Sequence, residues 1–268
     1  MIMDFSQPGN LSTNQLINYT LHLADNALIL GHRNSEWCGH GPILEQDIAI
    51  ANISLDLIGQ ARNFYQYAAQ LINQSTHQPV NFSTEDSLAY FRDSPDFKNI
   101  LLVEQPKGDW AQTILRQFLF SAYQYLLFEK LGESKDEQIA AIATKSLKEI
   151  TYHLRWSSEW VIRLGDGTEE SHERMLKAID ALWNYTSEMF IPAEYELQVL
   201  NKVVNPDVTL LKENWLQKVK DVFDPATLTV PATSLTYTGG KEGKHNEHLD
   251  HILKELQSVA RAHPSATW

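Results

Sequence analysis

The sequence predicts an all-α fold: one domain of long helices packed as a bundle, with a long crossover and additional helices towards the C-terminus. Ten prolines and twelve glycines in 268 residues are gathered in a few stretches between long uninterrupted segments. That distribution favours helices over a many-turned β architecture. Apolar residues, 43% of the chain, supply a sizeable core for a single domain over 1–268. They recur at helical spacing, as in Leu16, Tyr19, Leu23, Ala27 and Leu30.

The elements follow in order. Residues 1–12 form a flexible N-terminus, and Ser12 with Gln15 has the spacing of a capping box opening a first helix over 13–32. Gly39 and the Gly41-Pro42 pair stop it. The second helix, 43–72, carries Ile48, Ile50, Ile53, Leu55, Leu57, Ile58, Phe64 and Tyr67, which cannot share one face, so the sequence places it among other helices. One stripe of it is polar or small, Glu45, Asn52, Asp56, Gly59 and Asn63, and polar groups facing a core require partners or a metal. Residues 74–107 are too long for a turn and read as a functional or docking crossover. Asp109 caps a third helix to Leu131, and Ser134 with Glu137 opens a fourth to Leu164, with Gly132 and Gly165 as punctuation. Thr168 starts a fifth helix through Phe190, ended by Ile191-Pro192, and Asn205-Pro206 opens a sixth towards Phe223. Residues 224–244, Thr-rich and broken by proline, read as an extended loop before a last helix over 246–262.

A formal net charge of -12 argues against a nucleic-acid partner, whose phosphates call for concentrated Lys and Arg. Lys241 and Lys244 form a local basic patch suited at most to a small anion. Cys38, alone, forms no internal disulfide; it reads as a packing residue without a nucleophilic role, and a cytoplasmic setting follows. Residues 1–10 lack the pattern of a signal peptide, and no apolar run is long enough for a membrane span. No phosphate loop or dinucleotide fingerprint is present, Gly239-Gly240-Lys241 being too short for one. His245, Glu247 and His248 read as a charged loop-to-helix junction rather than a metal site.

A four-helix bundle with a crossover between its second and third helices can hold two metal ions. It does so with one carboxylate from each of two helices and a Glu-x-x-His pair from each of the other two. Asp25 and Asp56 are acids at suitable positions, but Asp56 is followed at i+3 by Gly59 in place of histidine. The third helix has Gln117 and Ser121 at mid-length and no interior acid. Glu149 and His153 stand four apart, with Tyr152 where a histidine belongs. The set Asp25, Asp56, Glu149 and His153 is therefore a degenerate site from which no bound metal is expected. Glu149 and His153 are expected to pair along one helix face, and Asp25 and Asp56 to pair with Arg62, His32 or backbone groups.

Five motifs then stand in order: Glu36-Trp37-Cys38-Gly39-His40-Gly41-Pro42, 56-DLIGQARN-63, Leu102-Val103-Glu104-Gln105-Pro106, Tyr152-His153-Leu154-Arg155, and 238-TGGKEGKH-245 followed by Glu247-His248-Leu249. Together, over residues 16–268, they resemble the C-subunit family of the phenylacetyl-CoA epoxidase, a ring 1,2-phenylacetyl-CoA monooxygenase. The resemblance implies a ferritin-like bundle and a structural, non-catalytic role beside a sister subunit. That sister holds a di-iron centre and puts one oxygen atom of O2 into the aromatic ring of phenylacetyl-CoA. A further small subunit and a reductase carrying electrons from NADPH through FAD and an iron-sulfur cluster complete the system. The chain itself is then expected to hold no cofactor. The resemblance also points to Asp96, Phe97, Lys98 and Asn99, and to Leu197, Gln198 and Val199, as segments meeting the coenzyme A ester, with Lys98 pairing to phosphate and Phe97 covering a ring. Trp110, Phe118, Phe120, Tyr123 and Tyr125 ring the third helix, and some of them are expected to face the partner. Two other readings compete: a self-sufficient di-metal carboxylate oxygenase, and a non-enzymatic adaptor or storage bundle.

Overall fold

The computed structural model describes residues 11–76, 83–200, 203–204, 207–232 and 235–266. Among them there is no strand, only an isolated bridge between Leu200 and Val204. Helix α1 (Leu11–Ser35) pairs antiparallel with α2 (Leu44–Thr76), and a crossover leads to the second hairpin, α5 (Trp110–Leu131) with α6 (Glu137–Gly165). The crossover holds short helices α3 (Glu85–Tyr90) and α4 (Leu101–Glu104) and a 3-10 turn at Ser94–Asp96. After α7 (Glu169–Leu182), a 3-10 stretch Trp183–Phe190, α8 (Glu194–Val199) and α9 (Lys212–Phe223) wrap the bundle, and α10 (Glu247–Ala262) closes on the crossover. Between α9 and α10 the described residues hold no strand and no α-helix, only turns at 224–227 and a 3-10 turn at Gly240–Glu242.

The caps explain several boundaries. Asp109 accepts from Gln112 N–H to open α5, Thr168 from Ser171 N–H to open α7, and Asn246 from His248 N–H to open α10. At α6 the cap is Asp136, which accepts from Ile139 N–H, rather than Ser134; the same carboxylate also takes the Tyr67 hydroxyl of α2. Most of the expected flexible stretch, residues 1–10, lies outside the described residues, as does Pro206. Ser12 falls within the span of α1.

Two expectations are reversed. The surrounded helix is α5: Phe118, Phe120 and Tyr123 are buried within this chain and Trp110 and Tyr125 half-buried, because α7 and α9 return to pack against it. Helix α2 instead keeps one face outward, where Leu44, Ile48 and Leu55 are 71%, 52% and 66% exposed. Its core face is Ile50, Ile53, Leu57, Ala61, Phe64 and Ala68, at spacings of three and four. Glu45, Asn52 and Gly59 lie opposite that face and are exposed, while Asp56 and Asn63 are half-buried. The polar stripe therefore looks outward instead of into the core. Cys38 is likewise exposed, in the turn between α1 and α2, rather than packed.

Candidate functional site

The interior of the bundle is where a metal centre of this fold would sit, and each expected ligand position there has a protein partner. Asp25 of α1 is fully buried and faces the crossover. Its carboxylate pairs with Arg92, accepts the Tyr65 hydroxyl at 2.5 Å and accepts Lys98 N–H at 2.8 Å. Arg92 also lies over the Phe97 ring, 4.2 Å from its centroid. Burial opposes the charge on Arg92, but the Asp25 carboxylate outweighs it and the guanidinium is held more firmly protonated than in water. Burial and the neighbouring Asp25 likewise push the Tyr65 hydroxyl well up, keeping it a donor.

Deeper in the bundle the side chains are amides. Asn34 of α1 donates to Gln117 of α5 at 2.6 Å, and Gln117 donates to Ser121 at 2.8 Å. Gln124 of α5 donates to Gln60 of α2 at 3.0 Å, and Gln60 donates to Glu149 of α6 at 2.9 Å. His153 places Nε2 3.0 Å from Asp56, across the α2/α6 seam. Glu149 and His153 thus bond across to α2 and not to each other. Asp56 pairs with His153, and Asp25 with Arg92, in place of Arg62 or His32; Arg62 reaches Glu85 instead. Partners on a facing helix prevail because both side chains point into the seam between packed helices rather than along an exposed face.

These residues do not fit a pair of iron ions. Such a centre needs bridging carboxylates from four helices and two imidazoles. Here Asp25 is neutralised by Arg92, α5 offers Gln117, Ser121 and Gln124, and the imidazole of His153 is held by Asp56 at the bundle's edge. Among the described residues no group of three or more His, Cys, Asp or Glu is arranged to hold a metal ion.

The two segments expected at a coenzyme A ester lie close together, with Lys98 Nζ 5.6 Å from the centre of the Tyr195 ring. Asp96 and Leu197 are exposed, Lys98 and Gln198 are half-buried, and Phe97, Asn99 and Val199 are buried. Phe97 is occupied with Arg92, and Asn99 donates to Glu104 at 2.8 Å, so neither reaches solvent in this arrangement. Burial lowers the pKa of Lys98.

Sequence reasoning missed a set of buried acids that clamp the C-terminal motif. Glu188 accepts Gly239 and Gly240 N–H, both at 2.8 Å, and Leu101 N–H at 2.6 Å. Glu196 pairs with Lys241 at 2.8 Å, so Lys241 is a buried cation and not part of an anion-binding surface. Glu104 takes His245 Nδ1 at 2.7 Å and Asn246 N–H at 3.2 Å, while His245 Nε2 lies 3.0 Å from Phe97 O. His245 therefore serves as a staple, as a loop-to-helix junction would require. Gly240 is obligatory there: a Cβ would stand 2.3 Å from Asn99 O. The available signal was an acid inside an apolar run, as in Leu102-Val103-Glu104.

Comparison with known proteins agrees with this architecture. The family model described as "Phenylacetic acid catabolic protein" matches residues 1–268. The chain is 46% identical over 255 residues to the C subunit of the 1,2-phenylacetyl-CoA epoxidase of Escherichia coli (strain K12), covering 95% of this chain and 100% of that protein. No helix among the described residues is long and apolar enough to cross a membrane. The helical bundle, the motifs that staple it and both matches lead to one statement: the chain belongs to the phenylacetic acid catabolic protein family.

Proposed function

We propose that this chain is the non-catalytic subunit of a cytoplasmic 1,2-phenylacetyl-CoA epoxidase, pairing with and stabilising a di-iron catalytic subunit in aerobic phenylacetate catabolism. The observation that carries the reading is the bundle interior. Where two irons would need acids and imidazoles, side-chain amides from α1, α2 and α5 bond to one another and to Glu149, and Asp25 is neutralised by Arg92. A chain built this way supplies architecture. In the assembled system the partner's iron would supply oxygen activation, and a reductase would bring electrons from NADPH through FAD and an iron-sulfur cluster. A further small subunit would complete the complex.

The docking face in this proposal is the outward side of α2. Leu44, Ile48 and Leu55 expose apolar surface there, and a Cβ added at Gly59 would meet nothing within 4 Å, so a partner helix can come close to the backbone. Tyr152 of α6, also exposed, extends this face beyond the seam. Asp96, Lys98, Leu197 and Gln198 remain the candidates for contact with the coenzyme A ester, since they reach the surface while Phe97, Asn99 and Val199 do not.

Metal analysis of the isolated chain against the assembled complex tests the reading. Substoichiometric iron is expected in the chain alone, with co-purification of a di-iron partner whose soluble yield falls when this chain is omitted. About two irons per isolated chain, with an oxo-bridge absorption band, would instead establish a self-sufficient oxygenase. Failure to co-purify with any di-iron subunit would leave an adaptor bundle. Within the complex, His153→Ala should cost about 1–3 kcal/mol of stability without selective loss of turnover.

A further inference from the structure

The outward side of α2 carries one carboxylate set among apolar side chains. Asp56 follows Leu55 and lies at the edge of that face, beside α6. Its Oδ2 stands 3.0 Å from His153 Nε2 across the seam; the His153 side chain is fully buried, that of Asp56 36% exposed. The imidazole therefore holds one carboxylate oxygen from the inside, and the outer side of the group meets solvent. An ionised carboxylate offers about four acceptor positions, and among the described residues only His153 bonds to this one. No lysine or arginine lies within 4 Å of it among those residues; Arg155 is over the Tyr152 ring instead, 5.8 Å from its centre. The surroundings are Ile48 and Leu55 of α2 and, on the other bank, the exposed Tyr152, whose ring is 6.3 Å from that of His153. One turn beyond Asp56 on the same face is Gly59, where an added Cβ would meet nothing within 4 Å, so the space beside the carboxylate is open.

We propose that Asp56 determines which partner the outward side of α2 accepts: a helix of the di-iron subunit carrying an arginine, whose guanidinium passes over Gly59 to the free side of the Asp56 carboxylate. This rests on the docking face assigned above and names the chemistry that must meet it. A helix that covers Ile48, Leu55 and Tyr152 strips water from the carboxylate between them. A desolvated carboxylate without a cation costs more than the apolar contact around it returns, so the covering surface has to supply one. Arginine suits the position better than lysine. Its guanidinium is more weakly hydrated, so less is lost on burial, and its stem can lie along Leu55 while the planar fork bonds the carboxylate. His153 already fixes the orientation of the acid, and the apolar ring excludes water from the pair, which is the arrangement of an interface hot spot. A second copy of this chain fits less well, because a two-fold contact repeats one patch on both sides and brings Glu45 and Asp56 of both chains onto a single surface.

The test measures dissociation from the di-iron subunit for full-length Asp56→Asn, Gly59→Leu and Leu55→Asp chains beside the parent, with melting and gel filtration of each chain alone. Asp56→Asn keeps an acceptor for His153, so the free chain is expected to melt as the parent does while the complex dissociates at least about 30-fold faster. Gly59→Leu closes the gap and is expected to weaken the complex as well, with a melting temperature equal to or above the parent's because leucine favours helix over glycine. Parental dissociation of Asp56→Asn, with Leu55→Asp blocking the complex, would overturn the arginine and leave the docking face standing. If Asp56→Asn does not fold, parental binding by Gly59→Leu overturns the proposal by itself. A complex that forms normally with all three variants would remove the docking face and the arginine together. A parent chain that runs alone as a dimer, and as a monomer once Asp56 is asparagine, would overturn the proposal in favour of a second copy.

Discussion

His245 shows how one side chain can hold two distant parts of the chain in a defined charge state. Its ring nitrogens face the Glu104 carboxylate and the Phe97 carbonyl, both acceptors, so both nitrogens must carry protons. Burial pushes the imidazole down, but the hydrogen bond and charge of Glu104 outweigh it and the net shift is upward. A folded pKa above the unfolded value of about 6.5 gives stability that is complete below that pH and is lost as pH rises through the folded value. His22 acts in the opposite sense: burial lowers it to about 4, so stability falls as pH drops from about 6.5 towards that value. Urea denaturation should therefore be most resisted near pH 6.5, and His245→Gln should flatten the alkaline limb while leaving the acid limb in place. An unchanged alkaline limb in that variant would show that His245 is not the group responsible. The chemistry of these residues was only half legible in the sequence. That Glu149, His153, Asp25 and Asp56 needed polar partners followed from their setting, but the partners themselves, Gln60, Asp56, Arg92 and His153, are set by which helices face each other, and no local spacing encodes that.

At the scale of the element, α2 and α5 are the informative pair. Both are apolar around most of their circumference, so periodicity alone could not say which one is enclosed. The answer lies in α7 and α9, which come later in the chain and cover α5 while leaving α2 bare. Caps were easier to read: Asp109 and Thr168 each satisfy an amide three residues on, a local rule that needs no tertiary information, although at α6 the cap is Asp136 and not Ser134. The six-residue α8 was missed because it is too short to declare a period. The bare face of α2 carries its own prediction. Leu55→Asp should change the stability of the isolated chain by less than about 0.5 kcal/mol, as exposed substitutions do, yet prevent co-elution with the di-iron subunit in gel filtration. Normal co-elution would move the docking face elsewhere.

For the whole molecule, the two hairpins, the crossover and the C-terminal motif form one interlocked unit. The all-α class and the long crossover were legible because Gly and Pro mark where helices end. The interlock was not, since Glu104, Glu188 and Glu196 find their partners up to 142 residues away in sequence. Gly240→Ala tests it: the added methyl would meet the main chain at Asn99 and Leu101, where no side-chain rotation relieves the clash. Stability should fall by about 1–3 kcal/mol, and amide exchange should accelerate across residues 97–104, with the amides at the centre of α5 slowed as before. Uniform acceleration through α5 would mean that the crossover and the bundle open together.

The placement of those staples also bears on how the polypeptide is made. Residues 239–246 leave the ribosome after the three acids that they neutralise or hydrogen-bond, which are buried under the middle of the chain. Until that segment emerges, a nascent chain can assemble its helical hairpins but must leave Glu104, Glu188 and Glu196 hydrated, with the crossover unlatched. Emergence of that segment is thus the step that seals the fold, and a product terminated before Gly239 would keep α1 to α9 while lacking both the lock and α10.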